Sequence, residues 1–341
     1  MIKNLVRGII VLTIVLSLGI MVYQFNMPIN DKTIGGNLSA TDKLSISNIV
    51  EYPSNVTMNK TVDIAIFKRK WLDVAYASKS ETQKMDIFLP NEGKGPFPVI
   101  ILIHGGFYKT GDKKDERDYM IEILNRGYAA ASINYRLIDE ATFPAQIYDV
   151  KAAIRYVRAN ASKYNINSNK IATWGTSAGG HLSALAGTSG DVPELDNLEL
   201  GNANQSTKIQ AAVDWFGPIN FLTMDDQFRE SGVDGQVHNV ATSSESLLIG
   251  KQINLAKDLV QKANPETYIT ADDPPIYIQH GTNDIIVPIQ QSMEFSNNLV
   301  KYIGSNKLVY ESLKGASHGD PAFRRKENVD RILDFIDKYL K

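Results

Sequence analysis

Cysteine is absent from all 341 residues. No disulfide holds the fold, which a chain of this length tolerates because its core is large. A lipobox is excluded for the same reason. The chain also has no His-Glu-x-x-His helix, no Walker loop and no Gly-x-Gly-x-x-Gly after a strand, so it carries no fingerprint of a zinc protease, a P-loop or a dinucleotide site. One-signed charge is missing too. Lys and Arg number 36 against 38 Asp and Glu, interspersed to a net charge of −2, which offers no basic field for nucleic acid. No internal repeat is visible. Once an N-terminal extension is set aside, the length fits one domain with insertions.

What is present centres on Lys170-Ile-Ala-Thr-Trp-Gly-Thr-Ser-Ala-Gly-Gly-His181, where an apolar run meets Gly175-x-Ser177-x-Gly179. A serine hydroxyl is a poor nucleophile at neutral pH and must be lifted toward a base and backbone donors. A sharp turn between strand and helix achieves this if the residues two before and two after the serine are small. Residues 171–174 read as a short buried strand and 178–185 as helix-compatible, which is the required setting. The rival reading is a glycine-rich turn whose serine caps the helix.

In an elbow of this kind the acid and then the histidine follow the serine. His238, His280 and His318 are the histidines beyond the elbow. His318 falls in a small-residue loop between the strand-like 308–313 and the amphipathic 325–340. Asp284 follows an apolar strand at 275–280 and is placed to accept the histidine Nδ1–H, leaving Nε2 free for the serine proton. Each has a plainer reading: Asp284 as a turn former, His318 as a solvated loop residue. His280, at the strand end, reads as support for the Asp284 loop, and His238 as a candidate lining residue of the substrate pocket.

Upstream, 98–104 is a uniformly apolar strand, buried on both faces as in a covered parallel sheet, and it breaks into Gly105-Gly106-Phe107-Tyr108. Glycines there let backbone N–H groups approach a forming oxyanion, and losing one such donor costs about 3 kcal/mol in a hydrolase. A tight turn is the alternative. Elements alternate: strand 98–104, helix 117–125, strand 129–134, helix 145–164, the elbow strand and strand 211–216, with antiparallel opening strands at 64–76 and 84–89. Ile147, Val150, Ile154 and Val157 give the helix from 145 one apolar face. Stretches 188–208 and 221–273 break the alternation and read as a lid and substrate-selecting insertions.

Several segments together resemble the α/β-hydrolase serine esterases of the bifunctional feruloyl and acetylxylan esterase-like (BD-FAE) group, neighbours of the hormone-sensitive-lipase-like carboxylesterases. They are His104-Gly-Gly-Phe-Tyr-Lys-Thr-Gly-Asp112, Asn134-Tyr-Arg136, Phe143-Pro-Ala-Gln-Ile-Tyr-Asp149, Gly175-Thr-Ser-Ala-Gly-Gly-His181, His280-Gly-Thr-Asn-Asp284 and His318-Gly-Asp320. The resemblance implies an α/β-hydrolase fold, a mostly parallel sheet with helices on both faces and lid-like insertions. It implies Ser177 as nucleophile, Asp284 as acid, His318 as base, and the N–H groups of Gly106, Phe107 and Ala178 as oxyanion donors. No cofactor or metal is expected. Phe107 departs from the third small residue common in relatives and is expected to narrow the acyl pocket or redirect the loop. The implied reaction is hydrolysis of short acyl or aryl esters, including deacetylation or deferuloylation of polysaccharide. An amidase or peptidase of the same fold, or an inactive binding module, are the other readings; the sequence leaves the oligomeric state open.

At the N-terminus, Lys3 and Arg7 precede an apolar run at 8–23. As helix it spans about 24 Å, short of the roughly 30 Å hydrocarbon core, though Leu5, Val6 and Phe25 extend it. It lacks a convincing small-x-small cleavage site, which favours a signal anchor over a removed signal peptide at 1–25. Residues 26–61 then read as a polar linker or arm and 62–341 as the catalytic domain. The positive-inside rule puts that domain outside a single-pass membrane anchor, or secreted if the segment is cleaved.

Overall fold

The computed structural model describes residues 49–51 and 62–341. The anchor or signal segment and most of the linker lie outside the described residues. Among the described residues no helix is long and apolar enough to cross a membrane.

The strands are β1 (Ile49–Val50), β2 (Lys70–Ala75), β3 (Lys84–Phe88), β4 (Phe97–Ile103), β5 (Ala129–Ile133), β6 (Ile166–Thr176), β7 (Ala211–Trp215), β8 (Ile276–Gly281) and β9 (Leu308–Leu313). They form one sheet in the order β1-β9-β8-β7-β6-β4-β5-β3-β2. Pairing is parallel from β1 to β5 along that order and antiparallel at β5-β3 and β3-β2. The helices are α1 (Arg117–Asn125), α2 (Ala145–Ala159), α3 (Ala178–Thr188), α4 (Met224–Ser231), α5 (Ser244–Ile249), α6 (Lys257–Ala263), α7 (Gln290–Ile303) and α8 (Lys326–Leu340).

Side-chain alternation along the strands splits the core into two layers. Val99, Ile101, Ile103 and Ile171 pack with Ile147, Val150, Ile154 and Val157 of α2, with Leu182 and Leu185 of α3 and with Phe295 and Leu299 of α7. Ile100, Leu102, Trp174 and Trp215 face the other way, onto Tyr119 and Ile123 of α1 and Ile332, Leu333 and Ile336 of α8. Helices thus cover both faces, which is why the central strands are continuous apolar runs.

Some boundaries differ from those the sequence predicts. Helix α2 stops at Ala159, with six residues between it and β6, because Asn160 leaves helical geometry and Asn165 adopts φ 52°. Of 64–76 only Lys70–Ala75 is strand; Ile64–Ile66 is a 3-10 turn capped by the Asp63 side chain. Part of the expected linker belongs to the sheet. Ile49 and Val50 pair with Ser312 and Leu313, the Val50 carbonyl accepts from Lys314 N–H at 2.9 Å, and Glu51 meets the Lys314 ammonium at 2.8 Å.

Two of the quoted segments meet in a buried ion pair. The Arg136 guanidinium donates Nη2 to Asp149 Oδ1 at 2.7 Å and Nε to Oδ2 at 2.9 Å, while the Gln83 amide and Arg136 N–H donate to the same carboxylate at 2.6 and 2.9 Å. This pins β3 and the loop after β5 to α2. Breaking a buried pair by removing one partner leaves an uncompensated charge. Asp149→Ala is therefore expected to lower folding stability by about 3–5 kcal/mol, read as a fall in the urea midpoint.

Candidate active site

Ser177 sits at the end of β6 as the residue preceding α3, with φ 53° and ψ −118°. That left-handed conformation strains a residue with a Cβ, and the surroundings must enforce it. They do so by close approach: a Cβ on Gly175 would lie 1.9 Å from the Gly179 carbonyl oxygen, and one on Gly179 would lie 2.0 Å from that of Ile103. Only bare backbone lets the first turn of α3 lie this near β6 and β4. The Ser177 N–H donates to the Trp215 carbonyl at 2.8 Å, which ties the turn to β7.

The loops after β8 and β9 bring the other two residues. They are stitched together by Thr282 N–H to the Leu313 carbonyl at 3.0 Å and Asn283 N–H to the Ala316 carbonyl at 2.9 Å. His318 lies with Nε2 2.8 Å from Ser177 Oγ and Nδ1 2.7 Å from Asp284 Oδ2. Asp284 Oδ1 accepts from the N–H groups of Ile286 and Val287 at 2.8 and 2.9 Å, and His280 Nε2 reaches Oδ2 at 3.1 Å. Burial pushes this carboxyl up, but the hydrogen bonds and charges of His280 and His318 outweigh it and hold Asp284 well below the usual carboxylate range. A permanent acceptor at Nδ1 favours the tautomer whose Nε2 lone pair faces Ser177 Oγ.

The loop after β4 turns through three successive left-handed residues: Gly106 at φ 100°, Phe107 at 59° and Tyr108 at 58°. Among the described residues, none of the N–H groups of Gly106, Phe107 and Ala178 donates to a protein acceptor. Free donors at the end of a strand and at the first turn of a helix suit an incoming oxyanion. Phe107 is 38% exposed and its ring lies 6.5 Å from that of His318, while Phe216 meets His318 edge-on at 4.8 Å.

A groove of about 280 Å³ opens beside Ser177, lined by Gly105, Gly106, Phe107, Thr110, Gly111, Asp115, Glu116, Thr176, Phe216, His318, Gly319 and Arg324. Neither 188–208 nor 221–273 contributes to that lining. His238 is a correction to its reading as a pocket residue. It is buried inside the second insertion, with Nε2 2.9 Å from the Ile286 carbonyl and Nδ1 3.1 Å from Glu245. His280 supports the acid loop, with its ring nitrogens also at 2.7 Å from Ser292 Oγ and 3.0 Å from the Val287 carbonyl. The sequence reading missed Glu116 and Arg324. Glu116 accepts from Thr176 Oγ1 at 2.8 Å and from Arg324 Nη2 at 3.3 Å, and burial pushes its carboxyl up. No motif joins residues so far apart in the chain. Among the described residues no group of three or more His, Asp or Glu side chains is arranged to hold a metal ion.

The family model of BD-FAE matches residues 85–299. The chain belongs to the BD-FAE family. A solved truncated carbohydrate esterase from gut microbiota is similar at 36% identity and TM-score 0.73, over 82% of this chain and 99% of that one. A bifunctional GH43-CE from Bacteroides eggerthii is similar at 34% identity and TM-score 0.72, over 79% of this chain and 38% of that one. The probable carboxylic ester hydrolase LipM of Mycobacterium tuberculosis is 32% identical over 72% of this chain and 55% of its own length. The chain thus spans about half the length of the curated relatives it matches.

Among the described residues of this BD-FAE protein, one buried carboxyl beneath the elbow has no ion-pair partner. Asp214, fully buried at the end of β7, accepts from Gly217 N–H at 2.9 Å through Oδ1, and burial raises it to about 6 from an ordinary 3.8. A carboxyl raised by folding contributes stability at low pH and loses it as pH climbs from about 4 through about 6. Asp214→Asn keeps an acceptor and removes the titration. Between pH 5 and pH 8 its stability relative to the parent should improve by about 1 kcal/mol, measured by urea unfolding at both pH values.

Proposed function

We propose that this protein is a serine carboxylesterase that hydrolyses short acyl or aryl esters through an acyl-enzyme on Ser177. The observation that carries the reading is the line from Ser177 Oγ through the His318 ring to Asp284, with contacts of 2.8 and 2.7 Å. His318 Nε2 takes the Ser177 proton as Oγ attacks the ester carbonyl. The negative charge moves onto the carbonyl oxygen, facing the N–H groups of Gly106, Phe107 and Ala178. Collapse breaks the ester C–O bond, and His318 returns its proton to the leaving alcohol. Water, deprotonated by the same nitrogen, then attacks the acyl-enzyme and frees the acid with Ser177 restored. Asp284 stays ionised throughout and stabilises the imidazolium.

Polysaccharide esters are the substrates this reading favours. Exposed Thr110 and Asp115, with the partly exposed Arg324, give the groove both donors and acceptors, which suits hydroxyl groups on the alcohol half of an ester. The similar carbohydrate esterase supports the same choice. For the N-terminus the reading is a signal anchor at 1–25 with the catalytic domain outside, supported by Lys3 and Arg7 ahead of the apolar run. Full-length chain that stays with the membrane fraction after a carbonate wash would uphold the anchor; chain found shortened in the medium would replace it with a cleaved signal.

The full chain should hydrolyse p-nitrophenyl acetate and butyrate, and acetylated xylan or methyl ferulate. Ser177→Ala should lower kcat by about 10⁴-fold or more. Two folded proteins that are equally inert on all four substrates would overturn the esterase reading and bring a binding module forward.

A further inference from the structure

The oxyanion loop holds two consecutive non-glycine residues in left-handed geometry, Phe107 and Tyr108. Each such residue costs about 1–3 kcal/mol and persists only where its surroundings over-determine it. Phe107 is too exposed to be the anchor. Tyr108 is 1% exposed; its O–H lies 2.8 Å from His181 Nδ1 and its carbonyl accepts from Ile138 N–H at 2.9 Å. His181 is one turn beyond Ser177 on α3, and its N–H donates to the Ser177 carbonyl at 3.0 Å. Its Nε2 is 2.7 Å from the Ala263 carbonyl at the end of α6, and its ring packs at 5.2 Å from Phe221.

The proton positions follow from the partners. A carbonyl only accepts, so His181 Nε2 carries the hydrogen, Nδ1 is the acceptor and Tyr108 O–H donates to it. Both ring nitrogens are used by a neutral imidazole, and burial, which pushes this ring down to about 4, keeps it neutral.

We propose that Tyr108 and His181 are positioning residues that fix the 105–108 loop against the head of α3, with the second insertion bracing the pair from behind through the Ala263 carbonyl. The proposal rests on the serine esterase reading and adds the device that sets its oxyanion donors. Those donors come from two separate elements, Gly106 and Phe107 on one and Ala178 on the other. Their N–H groups must converge within 2.7–3.1 Å of one oxygen, and the loop has no strand or helix of its own to keep it there. The Tyr108–His181 hydrogen bond is a direct side-chain link between the two elements. It also gives 221–273 a role other than a cover: α6 ends against the nucleophile helix.

Tyr108→Phe removes one oxygen and leaves the ring in place. In the esterase assay it should lower kcat 10- to 100-fold for p-nitrophenyl acetate, leave KM within about 2-fold, and weaken a boronic acid that forms a tetrahedral adduct on Ser177 in proportion to the loss in kcat/KM. Amide hydrogen exchange at 105–111 should be faster in the variant at a temperature where both proteins are folded. A variant with a lower melting temperature but parental kcat well below it would reduce Tyr108 to a structural residue and overturn the proposal. If the parent hydrolyses no ester, the esterase reading fails and hydrogen exchange decides alone: faster exchange at 105–111 upholds the positioning role, and unchanged exchange overturns it.

Discussion

Everything at this site depends on how closely backbone can approach backbone around Ser177. The first turn of α3 lies so near the ends of β6 and β4 that a single methyl at Gly175 or Gly179 would overlap a carbonyl oxygen. That contact forces Ser177 into φ 53° and lifts its side chain above the sheet edge. It also sets the start of α3 and hence the Ala178 N–H. The strain is local, and the hydrogen bond from Ser177 N–H to the Trp215 carbonyl helps to carry it.

Around this fixed point, the remaining groups are held by polar contacts that are saturated on the side away from the groove. Asp284 has two backbone donors on one oxygen and two histidines at the other, so it does not rotate away from His318. Glu116 and Arg324 join Thr176 to the segment after His318. Tyr108 and His181 join the 105–108 loop to α3. The Glu116–Arg324 and Tyr108–His181 contacts link segments that follow different strands.

The insertions show how little composition says about position. Stretch 221–273 is polar and irregular in sequence, as a lid would be. Its His238 nevertheless lies buried against Glu245 and the Ile286 carbonyl, and the Ala263 carbonyl reaches the His181 ring. The segment thus contacts both the loop that carries Asp284 and α3. Residues 49–51 make the same point at the sheet edge, where a polar-looking arm supplies the two residues of β1.

By itself the sequence determined what short-range physics controls. The uniformly apolar run at 98–104 reads as a strand of a covered parallel sheet and 129–134 as the strand that follows it, and spacing in the helix from 145 gives one apolar face. The elbow was legible because its steric demand falls on residues two apart from the serine. Asp284 and His318 were legible as loop residues at strand ends, in the right chain order. Only the tertiary structure decided that these loops meet, with His318 between Ser177 and Asp284. It alone joined Glu116 to Arg324, Tyr108 to His181 and Ile49–Val50 to β9, because such contacts arise when crossovers return distant segments to one edge of the sheet. Local dihedral preference and periodicity do not encode which side chains then lie within 3 Å.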